Sequence, residues 1–166
     1  MSAYLLIVDG EQSLAKGLFQ KLHVLHLANI LLYHMSTAPK IKHVHYDETC
    51  PIMDRNQIDT LILGDESNAD TTLVRELFDL FVNEGATKLE ALPTVCAQGD
   101  VQELRSIVHF IVGSACHLGL VRLAAFYRAI ERAVDEQQLT DITEVEAPIR
   151  REFELAREAF RADFNL

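Results

Sequence analysis

Between residues 101 and 118, the apolar side chains Val101, Leu104, Val108, Ile111, Ala115 and Leu118 recur at steps of three and four. That rhythm is the signature of an amphipathic helix, and at about 100° per residue it gathers these side chains into one stripe. Such a stripe has to be covered by other helices, so this part of the chain is committed to a helical bundle. His109 falls well over a quarter-turn from the centre of the stripe and is expected to face solvent. Gln102, Arg105, Ser106, Val112, Gly113 and Cys116 are expected on the same exposed side. Gly113 is the odd member, because glycine inside a helix costs roughly 0.5–1 kcal/mol relative to alanine. One turn after a surface histidine, it removes the side chain that would crowd the imidazole and lets a partner approach closely.

The neighbouring segments supply the rest of a bundle. Residues 72–83 read as a helix capped by Asp70 or Thr71 and stopped by Gly85. Residues 87–98 read as a second, with Pro93 predicting a break or kink. Gly99-Asp100 makes a turn, with Asp100 as N-cap of the histidine helix, and Gly119 ends that helix. Residues 121–137 follow, with Leu123, Phe126, Ile130 and Val134 inward. The last helix, residues 142–164, directs Ile149, Phe153, Ala156 and Phe160 to the core and a Glu- and Arg-rich face to solvent.

The first third of the chain has a different texture. Residues 4–9 form a short apolar run closed by Asp9-Gly10, which reads as a buried strand. Residues 11–26 read as a helix with Leu14, Leu18, Leu22 and Leu25 on one face. Residues 28–35, 42–46 and 58–63 read as further strands, the last within IDTLILGD, with loops at 36–39 and 47–57. The predicted organisation is therefore α+β: a small α/β module at 1–66 and an antiparallel four-helix bundle at 67–166, joined by the polar stretch 66–70.

His109, with Gly113 and Ser114 four and five residues on and Gly119 ten residues on, resembles the histidine-containing phosphotransfer (HPt) domain family. The stretches Leu73-Val74-Arg75-Glu76-Leu77-Phe78-Asp79-Leu80-Phe81, Gly99-Asp100, Leu118-Gly119-Leu120-Val121-Arg122-Leu123 and Ala129-Ile130-Glu131 also look like that family. The resemblance covers residues 71–166. It implies a four-helix bundle, phosphorylation of His109, and exchange of the phosphoryl group with receiver-domain aspartates or a hybrid histidine kinase. Mg²⁺ is then expected on the partner receiver, with no cofactor on this chain. One departure is Val112, where the family usually has lysine, which leaves Arg105 as the nearest cation in sequence. The 1–66 segment is similar to the front half of a response-regulator receiver domain, with acidic residues Asp9 and Asp65 at or near strand ends. It is too short for five strands, and Gly10 stands where a second acidic residue would help hold Mg²⁺. It is expected to be a module without a phosphoaspartate, serving docking or homodimerisation through an exposed strand edge.

Composition excludes other classes. The net charge is −10, and basic residues are scattered apart from Arg150-Arg151, so no nucleic-acid footprint exists. Cys50, Cys96 and Cys116 are odd in number and share no CxxC spacing, which suits free thiols in a reducing compartment. No basic leader precedes the first apolar run, and residues 22–39 carry too many polar groups to span a membrane, so a cytoplasmic location is expected. No Gly-rich nucleotide loop is present, so the chain is expected to carry phosphate rather than to draw it from ATP.

A lone helix histidine is ordinarily a solvated surface residue. Here Gly113, Ser114 and the flanking helices point instead to chemistry, and neutral imidazole is a competent nucleophile near pH 7. Ser114 is read either as bonding a backbone carbonyl one turn back or as orienting the site. Two other functions compete. One is an interaction module that binds a receiver or kinase without carrying phosphate. The other is a metal site from His34, His43, His45 and Cys50, of which only His43 and His45 share a strand face and the rest fit no known spacing.

Overall fold

Residues 101–117 form the helix that their spacing predicts, one of six helices among the described residues. The structure, a computed structural model, describes residues 41–42, 44–62 and 71–166. The helices are α1 (Arg55–Ile62), α2 (Thr71–Leu89), α3 (Leu92–Gln98), α4 (Val101–His117), α5 (Val121–Asp135) and α6 (Glu146–Phe164). There is no strand among the described residues. The elements expected at 4–9, 11–26 and 28–35, the linker at 66–70 and both Asp9 and Asp65 lie outside them. The helices belong to one compact unit, Pro39–Leu166.

Four helices close a ring. Tyr127 of α5 donates from its hydroxyl to the Ile149 carbonyl of α6, 3.0 Å away. Phe78 of α2 stacks on Phe160 of α6 with centroids 4.3 Å apart, and Phe81 meets Phe153 at 5.1 Å. In that pairing the residue number rises along α2 as it falls along α6, so the two run antiparallel. Leu104, Ile107, Val108, Ile111 and Ala115 of α4 are buried at the centre, against Leu123, Ile130 and Val134 of α5. Apolar surface of this kind contributes about 25 cal/mol per Å² removed from water, so the aromatic and aliphatic seams carry most of the stabilisation.

Local signals fix the ends of α4. The Asp100 carboxylate accepts from the Glu103 N–H at 3.0 Å, the expected cap. At the other end Gly119 takes a positive φ of 63°. The Leu120 N–H reaches the Ala115 carbonyl at 2.9 Å and the Gly119 N–H reaches Cys116 at 3.1 Å. That pair of bonds is a Schellman stop.

Five expected elements differ in the structure. Residues 58–62 belong to helix α1 rather than to a strand. A short apolar run fits either period; here the Asp54 carboxylate holds the Asn56 N–H at 3.0 Å, opening a helix that sinks Ile58 fully into the core. Residues 42 and 44–46 form no strand either. Helix α2 runs through Gly85 to Leu89. A Cβ at Gly85 would lie 2.6 Å from the Phe153 ring, so this glycine is there for close packing and not as a stop. Pro93 opens α3 instead of kinking it, at a place where a missing N–H costs nothing. Helix α6 begins at Glu146, because Asp141 folds the preceding chain into a turn with Thr143. Leu139, Ile142 and Val145 of that turn are nonetheless buried.

Residues 44–54 are clasped to the α4–α5 turn. The Asp54 N–H donates to the Gly119 carbonyl at 2.8 Å, so close that a Cβ on Gly119 would collide with the Asp54 carbonyl. Tyr46 packs on Phe126 with centroids 4.8 Å apart and donates to Glu152 at 3.2 Å. Glu152 departs from the solvated face expected of α6. It forms a two-pronged pair with Arg122 of α5 at 3.1 and 3.0 Å, both residues being 2 % exposed. Arg151 also donates to it at 3.1 Å. Buried charges persist only when matched in this way.

Candidate functional site

His109 sits mid-way along α4 with its side chain 70 % exposed. Its Nδ1 lies 2.6 Å from Oε1 of Glu131 on α5. A carboxylate only accepts, so Nδ1 carries the proton, and in the neutral imidazole Nε2 then keeps its lone pair. The Glu131 side chain is only 13 % exposed, against 70 % for His109. The contact favours the Nδ1-protonated tautomer of the neutral ring and leaves Nε2 turned away from the carboxylate.

The pairing follows from an antiparallel register between α4 and α5. Arg105, one turn before His109, forms a fork with Asp135 at 2.7 and 3.0 Å, one turn after Glu131. Arg128, three residues before Glu131, donates to Cys116 Sγ at 3.0 Å. The Arg105 hydrogen bond holds the Asp135 carboxyl below its ordinary range, and the same contact raises the guanidinium. Arg105, the nearest cation in sequence, is thus occupied by another carboxylate.

The other expected residues fall as follows. Gly113 lies on the open face, and a Cβ there would meet nothing within 4 Å. Gln102 is exposed on α4. Ser114 is half-buried and donates to the Ile111 carbonyl at 3.2 Å, which is local helix structure. Cys116 is half-buried beneath Arg128. Val112 is a correction: it is 7 % exposed, not on the histidine face. Helix α5 packs along that flank and covers it, which widens the buried arc beyond the predicted stripe.

Glu131 was visible in sequence only as one residue of a matching segment. Its role depends on which turn of α5 faces which turn of α4, and helical periodicity does not encode that register. Phe110 also emerges here. It is 41 % exposed beside His109, with Lys88 Nζ of α2 over its ring at 5.0 Å from the centroid. Of the four residues weighed for metal, His34 and His43 lie outside the described residues. No group of three or more metal-ligating side chains forms among the described ones.

The sequence model of the Hpt domain family matches residues 76–162, just over half of the chain. The chain belongs to the Hpt domain family. Its match spans His109, Gly113, Ser114 and Glu131. Among solved structures, histidine-containing phosphotransfer protein B from Pseudomonas aeruginosa superposes with a TM-score of 0.57 at 24% identity. That likeness covers 70% of this chain and 97% of the other, and it concerns the fold. No curated protein matches the sequence. Hpt domains serve phosphorelays as histidine phosphotransfer modules, interacting with the receiver domains and histidine kinases of two-component systems. No helix among the described residues is long and apolar enough to cross a membrane.

Proposed function

We propose that His109 is the phosphoacceptor of this Hpt domain. It takes a phosphoryl group from the aspartyl phosphate of a receiver domain and passes it to another aspartate. The contact that carries this reading is His109 Nδ1 to Glu131 Oε1 at 2.6 Å, with the ring otherwise open to solvent. The Nε2 lone pair forms the P–N bond as the acyl P–O bond breaks, and that electron pair leaves with the aspartate carboxylate. The phosphorylated ring keeps its Nδ1 proton, and Glu131 offsets the positive charge that develops there. No proton has to move, so the chain needs no separate base. Mg²⁺ would come with the partner receiver, since phosphoryl transfer rests on positioning and charge. The chain is then a carrier and not a kinase, acting in the cytoplasm. Gly113 supports the reading by leaving space for the partner, with Gln102 and Ser106 on the same exposed side.

For the N-terminal module expected at 1–66 we propose a docking or homodimerising role without phosphate chemistry, carried by residues 1–38. The mass in solution of the full chain against that of residues 39–166 tests it.

The main reading is tested by incubation with a phosphorylated receiver domain. A base-stable, acid-labile label that disappears in His109→Gln supports it. Stable binding with no label would favour an interaction module that carries no phosphate.

A further inference from the structure

We propose that Arg128 is the cation that receives the phosphoryl group on His109. This rests on His109 being the phosphoacceptor. A phosphoryl group on Nε2 adds negative charge to a ring whose Nδ1 already meets the Glu131 carboxylate, so a facing cation is needed to hold it. Val112 is apolar and buried on the α5 flank of α4. Arg105 is engaged by Asp135 through two hydrogen bonds. Lys88 lies over Phe110, toward α2 on the opposite side of α4 from Glu131.

Arg128 is different in both place and bonding. Stepping four residues from Arg105 to His109 along α4 matches stepping four back from Asp135 to Glu131 along α5. Three further steps on each helix bring Val112 level with Arg128. The guanidinium is therefore rooted about 4.5 Å along α5 from Glu131, on the face that meets α4. Its hydrogen-bond partner is the thiol of Cys116, and sulfur is a weak acceptor. Exchanging that sulfur for phosphoryl oxygens replaces a weak bond with charge-assisted ones suited to the guanidinium fork. Between Cys116 and His109 on α4 lies Gly113, with open space where a side chain would stand. No side chain at Gly113 stands in the way of a swing from one to the other. Arg132, one residue past Glu131, is rotated a further 100° around α5 and is the natural control.

The full chain is phosphorylated with phosphoramidate, a small donor that needs no partner protein, in wild type, Arg128→Ala, Arg128→Lys and Arg132→Ala. Arg128→Ala is expected to slow labelling of His109 about tenfold, the loss of one charged hydrogen bond. It should also raise the ³¹P titration midpoint of the phosphoryl group. Arg128→Lys should restore most of the rate, and Arg132→Ala should match wild type. All four should melt alike, because Arg128 is an exposed residue. Wild-type labelling with an unchanged rate and ³¹P midpoint in Arg128→Ala overturns this assignment alone. A wild type that takes no label on His109 overturns it together with the phosphoacceptor reading.

Discussion

Glu131 Oε1 stands 2.6 Å from His109 Nδ1 across the seam between α4 and α5. In the proposed transfer, one helix presents the nucleophile and the other sets its tautomer. Separating the two roles gives the first prediction. Glu131→Ala should leave His109 in place but free to adopt either tautomer and to rotate. Phosphorylation should slow by about 10- to 100-fold, the range for losing a charged hydrogen bond. Glu131→Gln, which can still accept through its amide oxygen, should fall between. Quench-flow labelling gives the rates, and ¹⁵N spectra of the ring give the tautomer. A wild-type rate in Glu131→Ala would remove the carboxylate from the mechanism.

Two glycines in helices should respond with opposite signs. At Gly113 a methyl meets nothing within 4 Å, so Gly113→Ala should stabilise by about 0.5–1 kcal/mol through helix propensity. At Gly85 the same methyl would stand 2.6 Å from the buried Phe153 ring. Gly85→Ala should therefore destabilise, by about 1–3 kcal/mol of overpacking. Gly113→Leu should fold and yet slow transfer from a receiver. Urea melts of the alanine variants check the signs, and equal shifts would contradict the packing at Gly85.

The Arg122–Glu152 pair should behave as a unit. Glu152→Leu strands a guanidinium that is 2 % exposed and should cost about 3–5 kcal/mol. Adding Arg122→Met should recover a large part of that loss. A double-mutant cycle by denaturant unfolding measures the coupling, and strictly additive losses would mean the pair is not a mutual partnership.

Tyr46 predicts an alkaline limit. Burial first, and the Glu152 carboxylate second, push its phenol up from 10.0 to about 12. A raised pKa means that folding favours the neutral phenol. Its contribution is complete below pH 10 and is lost as pH rises toward 12. Stability should fall over that window in wild type and fall less steeply in Tyr46→Phe. Identical profiles in the two proteins would show that the phenol does not hold residues 44–54 to the bundle.

What was legible in sequence was local. The α4 stripe, the Asp100 cap and the Gly119 stop each depend on a few consecutive residues, and each stands where the spacing placed it. What was illegible depended on a distant partner. Ile58 could have belonged to a strand or a helix, and the pocket that buries it on the bundle decided the matter. Gly85 looked like a stop because nothing nearby announces Phe153, 68 positions later. Val112 looked exposed because a stripe drawn from one helix does not show how far its neighbour wraps around. Glu131 could be assigned a role only after the α4–α5 register was known.

The most direct test is the position of the phosphoryl group after incubation of the full chain with a phosphorylated receiver domain. The account predicts one acid-labile phosphate per chain, mapped by mass spectrometry under alkaline conditions to Nε2 of His109 and absent from His109→Gln. A label that persists in His109→Gln, or that maps to an aspartate in residues 1–66, would contradict it.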